Sequence, residues 1–123
     1  MSSANGGDSR AAPTTSPAAS LLHLTQHERE EAWVVAIHGA FDLDSAPLLA
    51  SALQDAATTH TMVVVDAVGV TFADSTVLNV LLNFHRGHRL RLARPALQLQ
   101  RVLEPTGADK VLDIRPTVED AIT

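Results

Sequence analysis

The hydrophobic positions after Leu21 change repeatedly between the pattern of a β-strand and that of an α-helix. The segments LLHLTQH, starting at Leu21, and AWVVAIHG, ending at Gly39, predict two strands joined by the charged turn EREE as a hairpin. TMVVVDA is β-branched and continuously apolar, as in a covered strand, and Asp66 is predicted to mark its carboxyl end. HRLRLA predicts a fourth strand and KVLDI a short last one.

Apolar residues between these strands recur with the 3.6-residue period of a helix. The first predicted helix covers about residues 46–59, with Ser45 as its cap and Pro47 in its first turn. The second covers about residues 75–85 and is apolar nearly all round, so we expect it to be largely buried.

A third helix is predicted after Pro95 and is ended by Pro105 and Gly107. Thr117 is expected to cap a final turn that ends at Ile122. Alternation of helices and strands predicts a mixed sheet with helices packed on it and parallel strands joined by crossover helices.

The first 20 residues contain Gly, Pro and small polar residues but no large apolar side chain, which predicts a disordered tail at 1–20. The remaining residues, 21–123, suit one domain. The chain has no cysteine, which excludes disulfides and thiolate metal sites. It shows no secretory signal and no apolar run of the roughly 20 residues that span a bilayer, so we expect a soluble cytoplasmic protein without a membrane partner.

Charge is distributed unevenly along the chain. The net charge is -5, and no Lys or Arg occurs between Arg29 and Arg86. Several arginines follow, namely Arg86, Arg89, Arg91, Arg94 and Arg101. The alternation in RLRLAR is typical of a half-buried strand with a solvated charged face, so we expect no direct nucleic-acid partner.

The stretch Asp74-Ser75-Thr76 joins an apolar strand pattern to the second helix. Ser75 is predicted to be the helix cap, and Asp74 suits the positive end of the helix dipole. A catalytic Ser75 would need His85 or His88 as base, but the glycines of a nucleophile elbow are missing, so we expect no enzyme.

His85 and His88 are three residues apart, as in some metal sites, but no further ligand is nearby in the sequence. No glycine-rich phosphate loop occurs either. We therefore expect neither a metal nor a cofactor.

The successive segments VVAIHGAFDLDSAPLL, MVVVDAVGVTFADSTVLNVLL and RLRLARPALQLQRVLEPTGADKVLDI closely resemble the STAS domain over nearly all of residues 21–123. This family includes bacterial anti-sigma factor antagonists. Its most specific motif is Asp-Ser followed by Ser or Thr and then Gly, which matches Asp74, Ser75 and Thr76, with Val77 in the place of Gly. The resemblance implies an α/β fold, a mixed four- or five-stranded β-sheet flanked by about four α-helices, without a catalytic site.

The resemblance also implies a function. An antagonist of this kind binds an anti-sigma factor that is itself a serine kinase, and it is released when the kinase phosphorylates the Ser after Asp. That residue is Ser75 here, with Thr76 as the alternative acceptor, and a cognate phosphatase would reverse the step. The alternative is a STAS regulatory or scaffold module that binds another protein or a small ligand without phosphorylation.

The partner-binding surface is predicted from two segments that follow strand ends and lie in the interval without basic residues. The residues assigned to it are Asp42, Asp44, Ser45, Asp74, Ser75, Thr76 and Val77.

Overall fold

The structure, a computed structural model, describes residues 23–123. Within them, a five-stranded sheet is flanked by five helices. The strands are β1 (His23–Arg29), β2 (Ala32–Phe41), β3 (Met62–Ala73), β4 (Arg89–Ala93) and β5 (Asp113–Arg115). The helices are α1 (Ala46–Ala57), α2 (Ser75–Gly87), α3 (Leu97–Thr106), α4 (Ala108–Val111) and α5 (Val118–Ile122). The sheet order is β1-β2-β3-β4-β5, with β1 antiparallel to β2 and all other pairs parallel, which confirms the predicted mixed sheet.

The predicted hairpin is present, with a tighter turn than the sequence indicated. Only Glu30 and Glu31 form the turn, and both have positive φ, 49° and 75°. Positive φ at both central residues is the geometry of the two-residue turns that match strand twist, and it is unusual for Glu. The predicted start of this strand at Leu21 and the tail at 1–20 lie outside the described residues.

Strands β2 and β3 are longer than predicted. Gly39 does not end β2, and Asp66 lies in the middle of β3 instead of at its end. β3 pairs with β4 only as far as Asp66, which is opposite Ala93. Beyond Asp66, β3 stays paired with β2 as far as Ala73, and this pairing extends both strands. Asp66 stays within the strand because its carboxylate is paired, as described below.

The pairing of β2 with β3 shifts register twice. Asp66 is opposite Ala36 and Ala73 is opposite Phe41, so β3 carries two more residues than β2 over this distance. Gly69 sits just after the first shift, where a Cβ would lie 2.5 Å from Nδ1 of His38. Glycine is therefore required by the close approach of the two strands.

Helices α1, α2 and α3 cover one face of the sheet, and the short α5 covers part of the other. The predicted buried face of α1 is confirmed, as is that of α2, whose polar stripe of Asn79, Asn83 and Arg86 is exposed. The buried residues of α1 and α2 are Ala46, Leu49, Ala52, Leu53, Ala56, Val77, Leu78, Leu81 and Phe84.

The segment after α3 differs from the prediction. Pro105 lies inside the last turn of α3, and the helix ends at Gly107, whose φ is 78°. Gly107 also starts the short helix α4, so β5 begins at Asp113 and not at Lys110 as predicted. The cap by Thr117 is confirmed, since its side chain accepts a hydrogen bond of 3.0 Å from the backbone N–H of Asp120.

The predicted solvated arginine face is confirmed for Arg89 and Arg94, which are exposed, and was wrong for Arg91, whose side chain is largely buried. Arg94 forms two hydrogen bonds with the buried carboxylate of Asp66, at 2.6 and 3.0 Å. Arg91 pairs with Asp113 at 3.2 Å and donates to the carbonyl oxygen of Ala121 in α5. Arg94 therefore neutralises Asp66, while Arg91 neutralises Asp113 and fastens α5 to the sheet.

Candidate functional site

The two segments predicted to form one surface are adjacent in the structure. β2 and β3 run parallel and end side by side, with Phe41 opposite Ala73. The backbone N–H of Asp74 donates to the carbonyl oxygen of Phe41 at 3.3 Å. The loop 42–45 and the residues 74–76 therefore emerge from neighbouring strands at the same edge of the sheet.

Asp42 organises the first segment. Its Oδ1 accepts hydrogen bonds of 3.1 Å from the backbone N–H groups of Asp44 and Ser45 and from the Ser45 hydroxyl. Ser45 occupies the N-cap position of α1 but forms no side-chain cap, so its predicted capping role was wrong. The reason is that its hydroxyl already bonds to Asp42, from whose N–H it accepts at 2.9 Å. Pro47 lies in the first turn as predicted.

Asp74 caps α2. Its backbone is extended, with φ −124° and ψ −171°, and its Oδ1 accepts from the backbone N–H of Thr76 at 2.9 Å. The prediction that Ser75 is the cap was therefore wrong, because Ser75 is the first helical residue. An extended residue whose side chain reaches the second helical N–H is the usual form of an N-cap.

The two hydroxyls of this motif differ in their surroundings. Ser75 is exposed, and its Oγ makes no hydrogen bond with any of the described residues 23–123. Thr76 is only partly exposed, and its hydroxyl donates to Oδ1 of Asp74. Ser75 is consequently the accessible hydroxyl of the pair.

Val77 does not belong to the surface to which the sequence assigned it. Its side chain is fully buried in the core that also contains Leu81 and Phe84 on the same face of α2. Residues at spacings of four and seven share one side of a helix, and here that side faces the sheet. Val77 therefore cannot touch a partner docked beside Ser75.

Two exposed apolar side chains near the site were not predicted. Leu43, in the loop, is 70% exposed, and Phe72, near the end of β3, is 50% exposed. Phe72 is opposite Ala40, directly before the loop. The exposure of Leu43 could have been predicted from the sequence, because this leucine lies between two aspartates and belongs to no helix or strand pattern. Apolar residues beside Asp42, Asp44 and Asp74 give this edge a mixed apolar and acidic character.

Ser75 and His85, which the sequence offered as a nucleophile and its base, are far apart in the structure. Ser75 and His85 are ten residues apart on α2, which separates them by about 15 Å along the helix axis. A serine and its base must be within hydrogen-bond reach, so this pair cannot act together. Among residues 23–123, no three His, Cys, Asp or Glu side chains are grouped as metal ligands.

Comparison with known proteins identifies the family of the fold. A family model described as "Mlab, STAS domain" matches residues 24–116. The match covers most of the chain, and the chain belongs to the STAS domain family.

Several solved structures share the fold. An anti-sigma factor antagonist from Mycobacterium paratuberculosis is similar with a TM-score of 0.77 and 23% identity, over 89% of this chain and 96% of that one. Unphosphorylated SpoIIAA, an anti-sigma factor antagonist, has a TM-score of 0.66 at 16% identity, over 80% and 92%. The Bacillus cell fate determinant SpoIIAA in its phosphorylated form has a TM-score of 0.60 at 16% identity, over 80% and 96%. At these identities the likeness establishes the fold.

No curated protein sequence matches the chain significantly. Within the described part of the chain, every helix is too short or too polar to cross a membrane.

Proposed function

We propose that the protein is an anti-sigma factor antagonist that binds a serine-kinase-type anti-sigma factor and is released when Ser75 is phosphorylated. The observation that carries this proposal is the exposed Ser75 hydroxyl, free of capping, at the start of α2 and beside the loop 42–45. The antagonists with the same fold support it, since SpoIIAA has been solved in phosphorylated and unphosphorylated forms.

The Asp74 cap makes the fold compatible with phosphorylation. The carboxylate of Asp74 accepts the cap hydrogen bond, so modifying Ser75 leaves that bond in place. A phosphate adds about −1.5 to −2 charges, and the amino end of a helix tolerates negative charge. We therefore expect phosphorylated protein to stay folded.

The same phosphate would act strongly on a bound partner. Ser75 lies among the carboxylates of Asp42, Asp44 and Asp74, in a stretch of sequence without Lys or Arg. A phosphate on Ser75 that is covered by a partner would lose its hydration water. This loop has no cation that could compensate for the loss. A penalty of about 3 kcal/mol would already weaken binding more than a hundredfold.

Thr76 remains the alternative acceptor, but its hydroxyl would first have to leave Asp74. Reversal of the switch requires a phosphatase, which needs access to the same exposed position. We include such a cognate phosphatase in the proposed pathway.

The test is phosphorylation by the serine-kinase anti-sigma factor that copurifies with the protein from native lysate. Mass spectrometry after incubation with ATP should find phosphate on Ser75 and none in Ser75→Ala. Ser51→Ala is the matched control, because Ser51 is an exposed serine on α1. Ser75→Asp should stay folded and bind the partner at least tenfold more weakly.

Two results together would reject the switch. They are absence of phosphate on Ser75 and Thr76, and unchanged partner binding by Ser75→Asp. The protein would then be the alternative, a STAS module that binds another protein or a small ligand without being switched at this position.

A further inference from the structure

A cavity of about 430 Å³ lies at the opposite end of α2 from Ser75, where the helix ends and β4 begins. The side chains that define its character are His60, His85, Arg86, His88 and Arg89. None of the described residues that line it is acidic. A smaller neighbouring cavity of about 200 Å³ shares His85, His88 and Arg89 with it.

The two arginines of this cavity differ from most arginines in the fold. Arg29, Arg91, Arg94 and Arg115 are all in ion pairs with carboxylates. Arg86 and Arg89 are exposed and form no ion pair with any residue between 23 and 123. Their positive charges are therefore available to a ligand.

Two carboxylates close to the cavities are already engaged, and one of them, Asp113, lines the smaller cavity. Glu28 on β1 accepts from His60 at 2.8 Å, and Asp113 on β5 pairs with Arg91 and Arg115. His60 is in turn occupied at its other ring nitrogen by Thr59, at 2.7 Å. His60 thus contributes to the wall and not to binding an anion.

His88 is held in a defined orientation. Its ring stacks on Phe84, with centroids 4.3 Å apart and planes 8° from parallel. Nδ1 lies 3.2 Å from the carbonyl oxygen of Phe84, which can only accept, so Nδ1 carries the hydrogen. Nε2 then becomes a donor only when the ring is protonated.

His85 provides a buried polar atom without a partner. Its Nδ1 makes no hydrogen bond within the described residues, although His85 lines both cavities. Buried polar atoms in proteins are nearly always satisfied. Because Nδ1 has almost no accessible surface, a molecule in these cavities would reach it only if the ring turned.

We propose that this cavity binds a phosphate-type oxyanion, either inorganic phosphate or the phosphate group of a small ester, through Arg86 and Arg89, with His88 in its wall. The carboxyl end of a helix carries roughly half a negative charge, which disfavours an anion. The two positive charges of the guanidinium groups outweigh it. The volume of about 430 Å³ lies in the range of small-molecule sites and leaves room for more than a phosphate group. The proposal is independent of Ser75 and of the function proposed above.

The test is a titration followed by two-dimensional ¹H–¹⁵N NMR at constant ionic strength. Inorganic phosphate and glycerol 3-phosphate are the two probes, and tighter binding of the ester would identify a small phosphate ester as the ligand class. We expect saturable shifts centred on residues 85–89 with at least one probe. Arg86→Gln and Arg89→Gln should each weaken binding about tenfold, the effect of losing one charge-assisted hydrogen bond.

Arg101→Gln is the matched control, because Arg101 is an exposed arginine on α3 outside both cavities. The proposal is overturned if neither probe gives saturable shifts at 85–89, or if Arg101→Gln weakens binding as much as Arg86→Gln. It is also overturned if Arg86→Gln lowers the melting temperature without changing binding, which would mean that the cation serves only the helix end.

Discussion

Replacing Val77 by glycine tests whether this position belongs to the core or to the surface beside Ser75. Val77 has no exposed surface, so Val77→Gly removes three buried carbon atoms, worth about 0.8 kcal/mol each. The cavity left behind adds about 0.5 to 1 kcal/mol, and glycine in the first helical turn adds about 0.5 kcal/mol. The expected loss in unfolding free energy is about 3 to 4 kcal/mol.

Equilibrium denaturation in urea measures this loss, and a second variant separates its parts. Asn79→Gly changes an exposed position of the same helix and should cost only the difference in helix propensity, about 0.3 to 0.5 kcal/mol. The difference between the two variants therefore reports the burial of Val77. In a thermal scan, a loss of about 3 kcal/mol corresponds to a fall in melting temperature of roughly 12 to 24 °C for a domain near 100 residues.

Equal losses for the two variants, both near about 0.5 kcal/mol, would refute the reasoning and place Val77 at the surface. A functional readout accompanies the stability measurement. If Val77 is core, Val77→Gly at a temperature where it stays folded should be phosphorylated on Ser75 at a rate within about twofold of the wild type. A large increase in that rate would mean that the valine obstructs the kinase.

Four further variants test the polar contacts. Arg94→Gln leaves the buried carboxylate of Asp66 without its ion partner and should cost about 1.5 to 3 kcal/mol by denaturation, whereas a cost below 0.5 kcal/mol would mean that water replaces the guanidinium. Asp74→Ala should cost about 1 kcal/mol as a lost cap and Ser75→Ala less than half of that, and the reverse order would restore Ser75 as the cap. Hydrogen bonding to Arg115 lowers the pKa of Asp113, so its stabilisation is present above the unfolded-state pKa and lost as the pH falls through the folded-state pKa. Because its side chain is 40% exposed, Asp113→Asn should cost less than about 1 kcal/mol at pH 7 and nothing near pH 2, and equal losses at both pH values would contradict this.

Hydrophobic periodicity was sufficient for the order of the elements but not for the end of β3. Asp66 was expected to end the strand, since Asp is rare within strands. The group that keeps it there is Arg94, which is 28 residues later in the chain. Contacts of this range depend on the assembled sheet, and no local pattern contains them.

At the site, too, the local sequence predicted the motif but not which of its residues caps the helix. The motif Asp74-Ser75-Thr76 offers three consecutive residues that could cap a helix. The choice of Asp74 follows from the path of β3, whose last residue pairs with Phe41 and sets the extended backbone at position 74. The burial of Val77 follows from the same choice, because it fixes which side of α2 faces the sheet.

The two register shifts between β2 and β3 have an arithmetic consequence for Ser75. From the pair Ala36 and Asp66 to the pair Phe41 and Ala73, β2 advances five residues and β3 seven, a difference of two. Ala67, Val70 and Ala73 all pack against the same core, so across each shift β3 uses three residues instead of two to bring a side chain back to that face. Each bulge therefore absorbs one extra residue without reversing the facing of the strand. Deleting one residue within either bulge should straighten β3 locally and leave its last residue facing the core, so that Ser75 stays at the same edge of the sheet.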